Sequence, residues 1–465
     1  MVSFSTGNVA DGIKNRLKWR LILMIPKTPL KQQQGNFLYQ DLLDQLNPKH
    51  PLLLLAKKIP WGLFEEEFKP LYAEIGRPAK PIRLMVGLLM LKQLENLSDE
   101  RVVEAWLQNP YYQSFCGMKH FQWSFPCNPS ELVHFRKRIG EAGAEKIFQV
   151  SVSLHGKRAL EREIVIDTTV QEKNITFPTD DKLRLKVISR CWKLASEEEI
   201  RLRRSYRREL KKLLRIIRFR RSVRDKGKVT AARRRLKTIA NALLRDITRK
   251  LPEDRRNNFL EELEIYRKVV NQQRKDKNKI YSLHEREVCC ICKDKEHKKY
   301  EFGNKAAIAM TKTDCIIVGA KAYRNEYDGD TLQGVLNHVA AVRGKSPKKA
   351  FCDRGFRGRK PEGCTTIIIP KAPSSKATEY SKRKARRDFG RRSAIEPVIG
   401  HLKKDFRLAR NYLKGTIGDA INLLLSVAAF NFRKWLRAAA QKIFFALCSL
   451  LAICVTRERL QHESV

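Results

Sequence analysis

The chain has 465 residues, 42% of them hydrophobic, and its 95 Lys and Arg against 50 Asp and Glu give a formal net charge of +45. That length supports two or three domains with a sizeable core, and the apolar share excludes a disordered basic tail. The cation excess points to a polyanion, with nucleic acid first and an anionic membrane surface second.

At the N-terminus, "LILMI" behind basic residues is too short for a signal-peptide core and lacks a small-residue cleavage site. The residues before Met24 show no domain pattern, so Met24 is a candidate start beside Met1. From about Gln40 to Leu154 the sequence reads as helices. "KPIRLMVGLLMLKQLENL" has an apolar face with few β-branched residues, and Ser98 in "SDERVVEAWLQN" is placed to cap a helix with acids in its first turn. Ser130 is expected to cap the next helix, "SELVHFRKRIGEAGAEKIF". There Arg136 and Arg138 are candidate phosphate contacts, a solvated basic face being the alternative.

"EIVIDTTVQEKNITF" changes the pattern: Ile164 to Ile166 form a buried-strand run ending on Asp167, with a second strand expected at 174–177. Residues 182–280 then hold 34 Lys and Arg against 12 Asp and Glu, a net +22, in segments of helical periodicity. A helical insertion tracking a nucleic-acid backbone is the functional reading and a solvated basic helical pair is the alternative. Most of the eleven cysteines lie in apolar runs, the pattern of reduced thiols. Cys289, Cys290 and Cys292 lie between His284 and His297 and could be drawn as a zinc site. Strand alternation sends Cys289 to the face opposite Cys290 and Cys292, which favours packed strand cysteines.

Strand signals resume at "KYEFGNKAAIAMT" and "DCIIVGAKAYRNEYDGDTL", followed by a helix over 331–342, a strand "KKAFCD" ending on Asp353, and a strand "TTIIIPK". Antiparallel strands followed by strands alternating with helices indicate a mixed sheet with helices on its faces. The next helix carries "RRSAIEPVIGHLKKDF", where Arg392 and Lys403 share a face with Glu396 if the helix is continuous; Pro397 argues for a start or kink at Glu396. Near the end the longest apolar run, 443–455, falls short of the roughly 20 residues of a spanning helix. One or two helices packing on the core, no membrane partner and a cytoplasmic location are expected.

Asp167 and Asp353 each end an apolar strand, and strand ends in an α/β sheet are where ligands bind. With Glu396 they form a set of hard oxygen donors suited to one or two Mg2+ or Mn2+ ions handling phosphodiesters. Arg392, by a bidentate fork, and Lys403, as a point charge, would hold phosphate. Arg354 and Arg357 are further candidate DNA contacts through their proximity to Asp353.

The segments "VIDTTVQEKNITFPTD", "KYEFGNKAAIA", "YDGDTL", "FCDRGFRG" and "RRSAIEPVIGHLKKDFRLARNYLKGTIGDAINLL" resemble the DDE transposases of the bacterial insertion-sequence family IS-five. The family signature of tyrosine, arginine, glutamate and lysine is matched in spacing by Phe389, Arg392, Glu396 and Lys403, with phenylalanine at the tyrosine position. The resemblance implies Asp167, Asp353 and Glu396 as metal-binding catalytic acids holding a pair of Mg2+ or Mn2+ ions. It implies double-stranded DNA as partner, in the form of terminal inverted repeats and target, with cleavage, strand transfer and a homodimer on two ends. The fold expected is an α/β RNase H-like mixed sheet with flanking helices, a helical N-terminal domain and a long basic helical insertion. Its parts would be 26–155 for the N-terminal DNA-binding domain, 160–181 with 281–420 for the catalytic domain, 182–280 for the insertion and 421–465 for C-terminal helices. The rival readings are a catalytically inactive DNA-binding relic or repressor, and a metal-dependent nuclease of the same fold.

Overall fold

The first described helices are short and mostly apolar, and His50, Ser98, Asn109 and Asn128 cap four of them through their side chains. A computed structural model describes residues 23–24, 41–73, 75–219, 225–273, 275–292, 298–359, 363–369 and 377–462; the side chains of 23–24, 254, 388–389 and 442–462 lie outside that description. By their contacts the residues divide into two units, one up to Gln171 and from Lys305 onward, the other Glu172–Asn304.

In the first unit, β1 (Leu23–Met24) precedes α1 (Leu42–Gln45), α2 (Pro51–Lys58) and α3 (Trp61–Phe68), and β2 (Arg77–Pro78) pairs parallel with β1. Helix α4 (Ile82–Leu94) is buried on nearly every face, as its unbroken apolar run requires. Ser98 caps α5 (Asp99–Gln108) as expected, its hydroxyl accepting from Arg101 N at 3.2 Å. After α6 (Pro110–Phe115) comes α7 (Pro129–Ser153), whose cap is Asn128 and not Ser130. Pro129, which needs no donor partner, takes the first helical position, and Asn128 with Glu131 forms a reciprocal capping box.

Strand β3 (Glu163–Lys173) is longer than its apolar run suggests and passes through Asp167. The separate strand expected at 174–177 does not form. The polar stretch after Asp167 can stay in the sheet because its buried groups find partners: Gln171 Nε2 donates to the Asp419 carbonyl at 3.2 Å, and its Oε1 accepts from Asn422 at 3.1 Å.

The second unit contains α8 (Asp180–Glu197), α9 (Arg207–Arg218), α10 (Lys226–Lys250) and α11 (Glu253–Asn271). They enclose a core of their own that includes Leu183, Val187, Cys191, Leu236, Leu243, Ile247 and Val269. The basic segment is therefore a packed helical body of more than two helices. Strand β4 (Cys289–Cys292) runs antiparallel to the first residues of β5 (Tyr300–Thr311), so the cysteine cluster lies on a strand; His297 lies outside the described residues.

Back in the first unit, β6 (Ile317–Tyr323) is antiparallel to β5 and leads into α12 (Asp328–Arg343). Then follow β7 (Lys349–Phe351), β8 (Thr366–Ile368), α13 (Glu379–Ser393), α14 (Ile395–Asp405), β9 (Arg410–Asn411) and α15 (Gly415–His462). The sheet order is β6-β5-β3-β7-β8, with β3, β7 and β8 parallel to one another and β9 on β3. One core joins the N-terminal helices, the sheet and α15.

Residues Gly415–Gln441 of α15 are long and apolar enough by composition to cross a membrane, a span that the sequence reading passed over, yet 78% of that window is buried inside the protein. The helix packs on α7, α4 and β6. Asn431, fully buried, substitutes for a missing strand neighbour at β6: it accepts from Ile317 N at 3.0 Å and donates to the Ile317 carbonyl at 2.8 Å and Ser151 Oγ at 3.2 Å. Removing that amide strands two buried backbone groups. Asn431→Ala should therefore cost about 2–3 kcal/mol, read as a lower urea midpoint; an unchanged midpoint would show that β6 is satisfied without it.

Candidate active site

The parallel register of β3 and β7 pairs Glu163 with Lys349, Ile164 with Ala350 and Val165 with Phe351, a constant offset of 186. Carrying that offset two residues further sets Asp353 opposite Asp167. Adjacent strands lie about 4.8 Å apart and alternate residues share a face, so by that register Asp353, two residues past the end of β7, would leave the sheet on the side of Asp167. Asp167 is thus not at the end of its own strand but where its neighbour stops. Both acids reach Cys352: its thiol is pushed up to about 12, first by burial and then by the charges of Asp167 and Asp353.

Asp353 caps the single 3-10 turn Arg354–Phe356, its Oδ1 accepting from Gly355 N. A Cβ added at Gly355 would lie 3.1 Å from Asp328 Oδ2 and 3.4 Å from Asp353 Oδ1, so the glycine keeps a small gap open between two carboxylates. Asp328, first residue of α12, takes two donors on Oδ1: the Thr168 hydroxyl and Lys305 Nζ, each at 2.9 Å. Lys305 Nζ also donates to the Glu326 carbonyl at 2.6 Å. Hard oxygen donors around a gap bare of side chain fit a small divalent cation. Sequence reasoning missed Asp328, Lys305 and Gly355. The signal was "YDGDTL", a stretch that the sequence reading quoted for its resemblance without giving its acids a role.

Glu396 stands apart from this pair. It is the second residue of α14, 64% exposed, and Arg392 Nη2 approaches its Oε1 at 3.7 Å. The helix break falls at Ala394, between α13 and α14, and Pro397 sits harmlessly in the first turn of α14. Arg392 and Glu396 therefore meet across a junction rather than along one helix, while Lys403, half-buried, lies two turns on from Glu396 within α14. The expected convergence of three acids is not present: among the described residues no group of three or more His, Cys, Asp or Glu is close enough to hold a metal ion. Ile395, Val398 and Leu402 anchor the opposite face of α14 in the core, which is why Glu396 is presented outward.

Of the other cations singled out from sequence, Arg354 and Arg357 are exposed beside Asp353. The Tyr327 hydroxyl donates to the Arg357 carbonyl at 3.0 Å, and Arg359 Nε meets Asp330 at 2.6 Å, so the loop is held against the start of α12. The Phe389 side chain lies outside the described residues. Arg138 lies over the Tyr72 ring at 4.3 Å. Arg136 corrects the sequence reading: it is 4% exposed, and its two Nη atoms each hold an Asp99 oxygen at 2.6 Å. The helical periodicity that predicts α7 does not say which of its cations face inward, and Asp99 on α5 claims this one. Lys92 is the third member at 2.9 Å from Asp99; burial and the Arg136 charge bring its amine down to about 8.

Two regions match known domain families, residues 40–138 a transposase domain (DUF772) and residues 272–432 a transposase DDE domain. The second match includes Asp328, Asp353 and Glu396, whereas Asp167 lies outside both. The chain is 44% identical over 192 residues to the uncharacterized protein ORF8 in the nfe locus of Rhizobium meliloti, covering 40% of this chain and 92% of that relative. No solved structure matches.

Removing Arg136 takes two charge-assisted hydrogen bonds from Asp99 and leaves Lys92 as its remaining cation, so Arg136→Gln should destabilise the fold by about 1.5–3 kcal/mol. Thermal or urea unfolding reads this directly. A variant of unchanged stability and weakened DNA binding would return Arg136 to the surface role read from sequence.

Proposed function

The chain belongs to the transposases that join these two domains and has the mixed α/β, RNase H-like architecture of a DDE enzyme, and from that premise we propose that it is an IS-five-type insertion-sequence enzyme that cleaves and joins DNA at terminal inverted repeats through Asp167, Asp353 and Glu396. The observation that supports this reading is the parallel register of β3 with β7, which, continued two residues beyond the end of β7, would bring Asp353 opposite Asp167.

In this reading Asp167 and Asp353 hold Mg2+ or Mn2+ at the strand edge and Glu396 joins them when DNA draws the α13–α14 junction inward. When bound, such ions lower the pKa of a water or sugar hydroxyl and neutralise charge on the leaving oxygen. Arg392 now shares Glu396; on approach of DNA its fork is free to move to a phosphate, with Lys403 as a second cation on the same helix. Arg354 and Arg357, exposed beside Asp353, line the path of the strand to be cut. A homodimer would bring two transposon ends together.

The test is a labelled duplex carrying the element's own ends, incubated with Mg2+, with Mn2+ and with EDTA. Asp167→Asn, Asp353→Asn and Glu396→Gln should each lower end cleavage by about 100-fold or more, beyond the loss typical for an outer partner of a metal ligand, while DNA binding persists. A variant that cuts at the natural rate removes its residue from the site, and cleavage indifferent to EDTA removes the metal.

The second unit supplies the long backbone contact in this proposal. Arg208, Lys211, Arg215 and Arg218 fall on one exposed stripe of α9. Changing all four to Gln should lower the slope of log affinity against log salt by up to about 4 units, roughly 0.9 for each phosphate no longer neutralised. An unchanged slope would leave α9 facing water.

A further inference from the structure

Asp328 is linked toward Asp167 through Thr168 and toward Asp353 across the Gly355 gap, and nothing in the three-acid arrangement uses it. We propose that Asp328 is a further carboxylate of the metal site, its Oδ2 facing the same gap as Asp353 Oδ1; the inference rests on the metal-dependent reading above.

The two oxygens of Asp328 have different surroundings. Oδ1 is saturated by the Thr168 hydroxyl and Lys305 Nζ, both at 2.9 Å. Thr168 is the residue after Asp167 on β3, so Asp328 is bonded to the strand that carries the first acid. Oδ2 accepts no hydrogen bond from a described residue and lies 3.1 Å from the point where a Gly355 Cβ would stand, with Asp353 Oδ1 3.4 Å from that same point. Those two distances place an oxygen of Asp328 and an oxygen of Asp353 against the same side-chain-free space. A carboxylate fixed on one oxygen and open on the other is oriented in advance, as metal ligands are by their outer partners. Lys305, 2.9 Å from Asp328 Oδ1, offsets part of the negative charge of Asp328 beside Asp353. Glycine at 355 is not required by backbone conformation, because it is absent from the residues of positive φ. What it provides is the space.

Binding of Mn2+ to the full chain, read from the loss of the free-ion electron paramagnetic resonance signal, separates the possibilities. Asp328→Asn keeps an oxygen for Thr168 and should weaken Mn2+ binding by about 10-fold or more. Gly355→Ala removes no carboxylate, places a methyl group in the gap and should weaken binding similarly, so the test survives if Asp328→Asn does not fold. Asp353→Asn is the reference. If Asp353→Asn weakens Mn2+ binding while Asp328→Asn or Gly355→Ala leaves it unchanged, Asp328 is only a helix-start residue and this inference fails alone. If Asp353→Asn itself has no effect, the metal-dependent reading fails, and this inference with it.

Discussion

The parallel pairing of β3 with β7 is the constraint on which the rest of the site depends. A side-chain period of two means that a slip of one residue would send Asp353 to the face opposite Asp167. The register is held by the buried run Ile164 to Ile166 on one strand and Ala350 and Phe351 on the other, all of them in the core. Because β7 ends at Phe351 while β3 continues, the chain can turn at Asp353, and the 3-10 turn that follows brings Gly355 against Asp328. Apolar packing thus sets the spacing of the acids, and hydrogen bonds from Thr168 and Lys305 set the angle of Asp328.

Helix α15 supports this arrangement from within the same unit. Its apolar half is a core element, and its few polar groups serve other segments: Asn431 bonds β6, Asn422 bonds Gln171 and the Arg407 carbonyl, and Ser426 bonds Gln93. Gln93 and Phe406 join the N-terminal helices to the end of α14 through one amide hydrogen bond of 3.1 Å. Glu396 consequently sits on a helix whose inner face is fixed and whose first turn, next to the Ala394 break, faces outward. Asp167 and Asp353 are carried by neighbouring parts of the sheet, whereas Glu396 is carried on a separate helix.

Charge is distributed unevenly between the two units. Residues 182–280 hold 34 cations against 12 anions, while residues 40–138 hold 13 against 11, so the excess belongs to the helical body rather than to the N-terminal helices. Within those helices Arg136 and Lys92 both pair with Asp99 in the interior, and Arg83 lies over Trp61 at 4.8 Å. A cation count therefore measures affinity for a polyanion only after the internally paired cations have been removed from it.

Strands, helices and the basic insertion were legible in the sequence, and Asp167, Asp353 and Glu396 stood out as candidate acids, because each leaves a local mark: an apolar run, a helical period, a charge excess or a family spacing. Local marks also misled, placing the cap at Ser130, the strand end at Asp167 and a phosphate contact at Arg136. In each case the deciding group was elsewhere: Asn128 and Pro129 at the cap, Asp419 and Asn422 for the buried Gln171, and Asp99 for Arg136. Asp328 could not be picked out, since its partners Thr168 and Lys305 lie 160 and 23 residues away. Which side chains can hold a cation and which segments are buried follow from residue chemistry and period, and both are written along the chain. Which acids stand together and which cations face solvent follow from strand register and from partners that distant segments bring to the same place, and these exist only once the chain has folded.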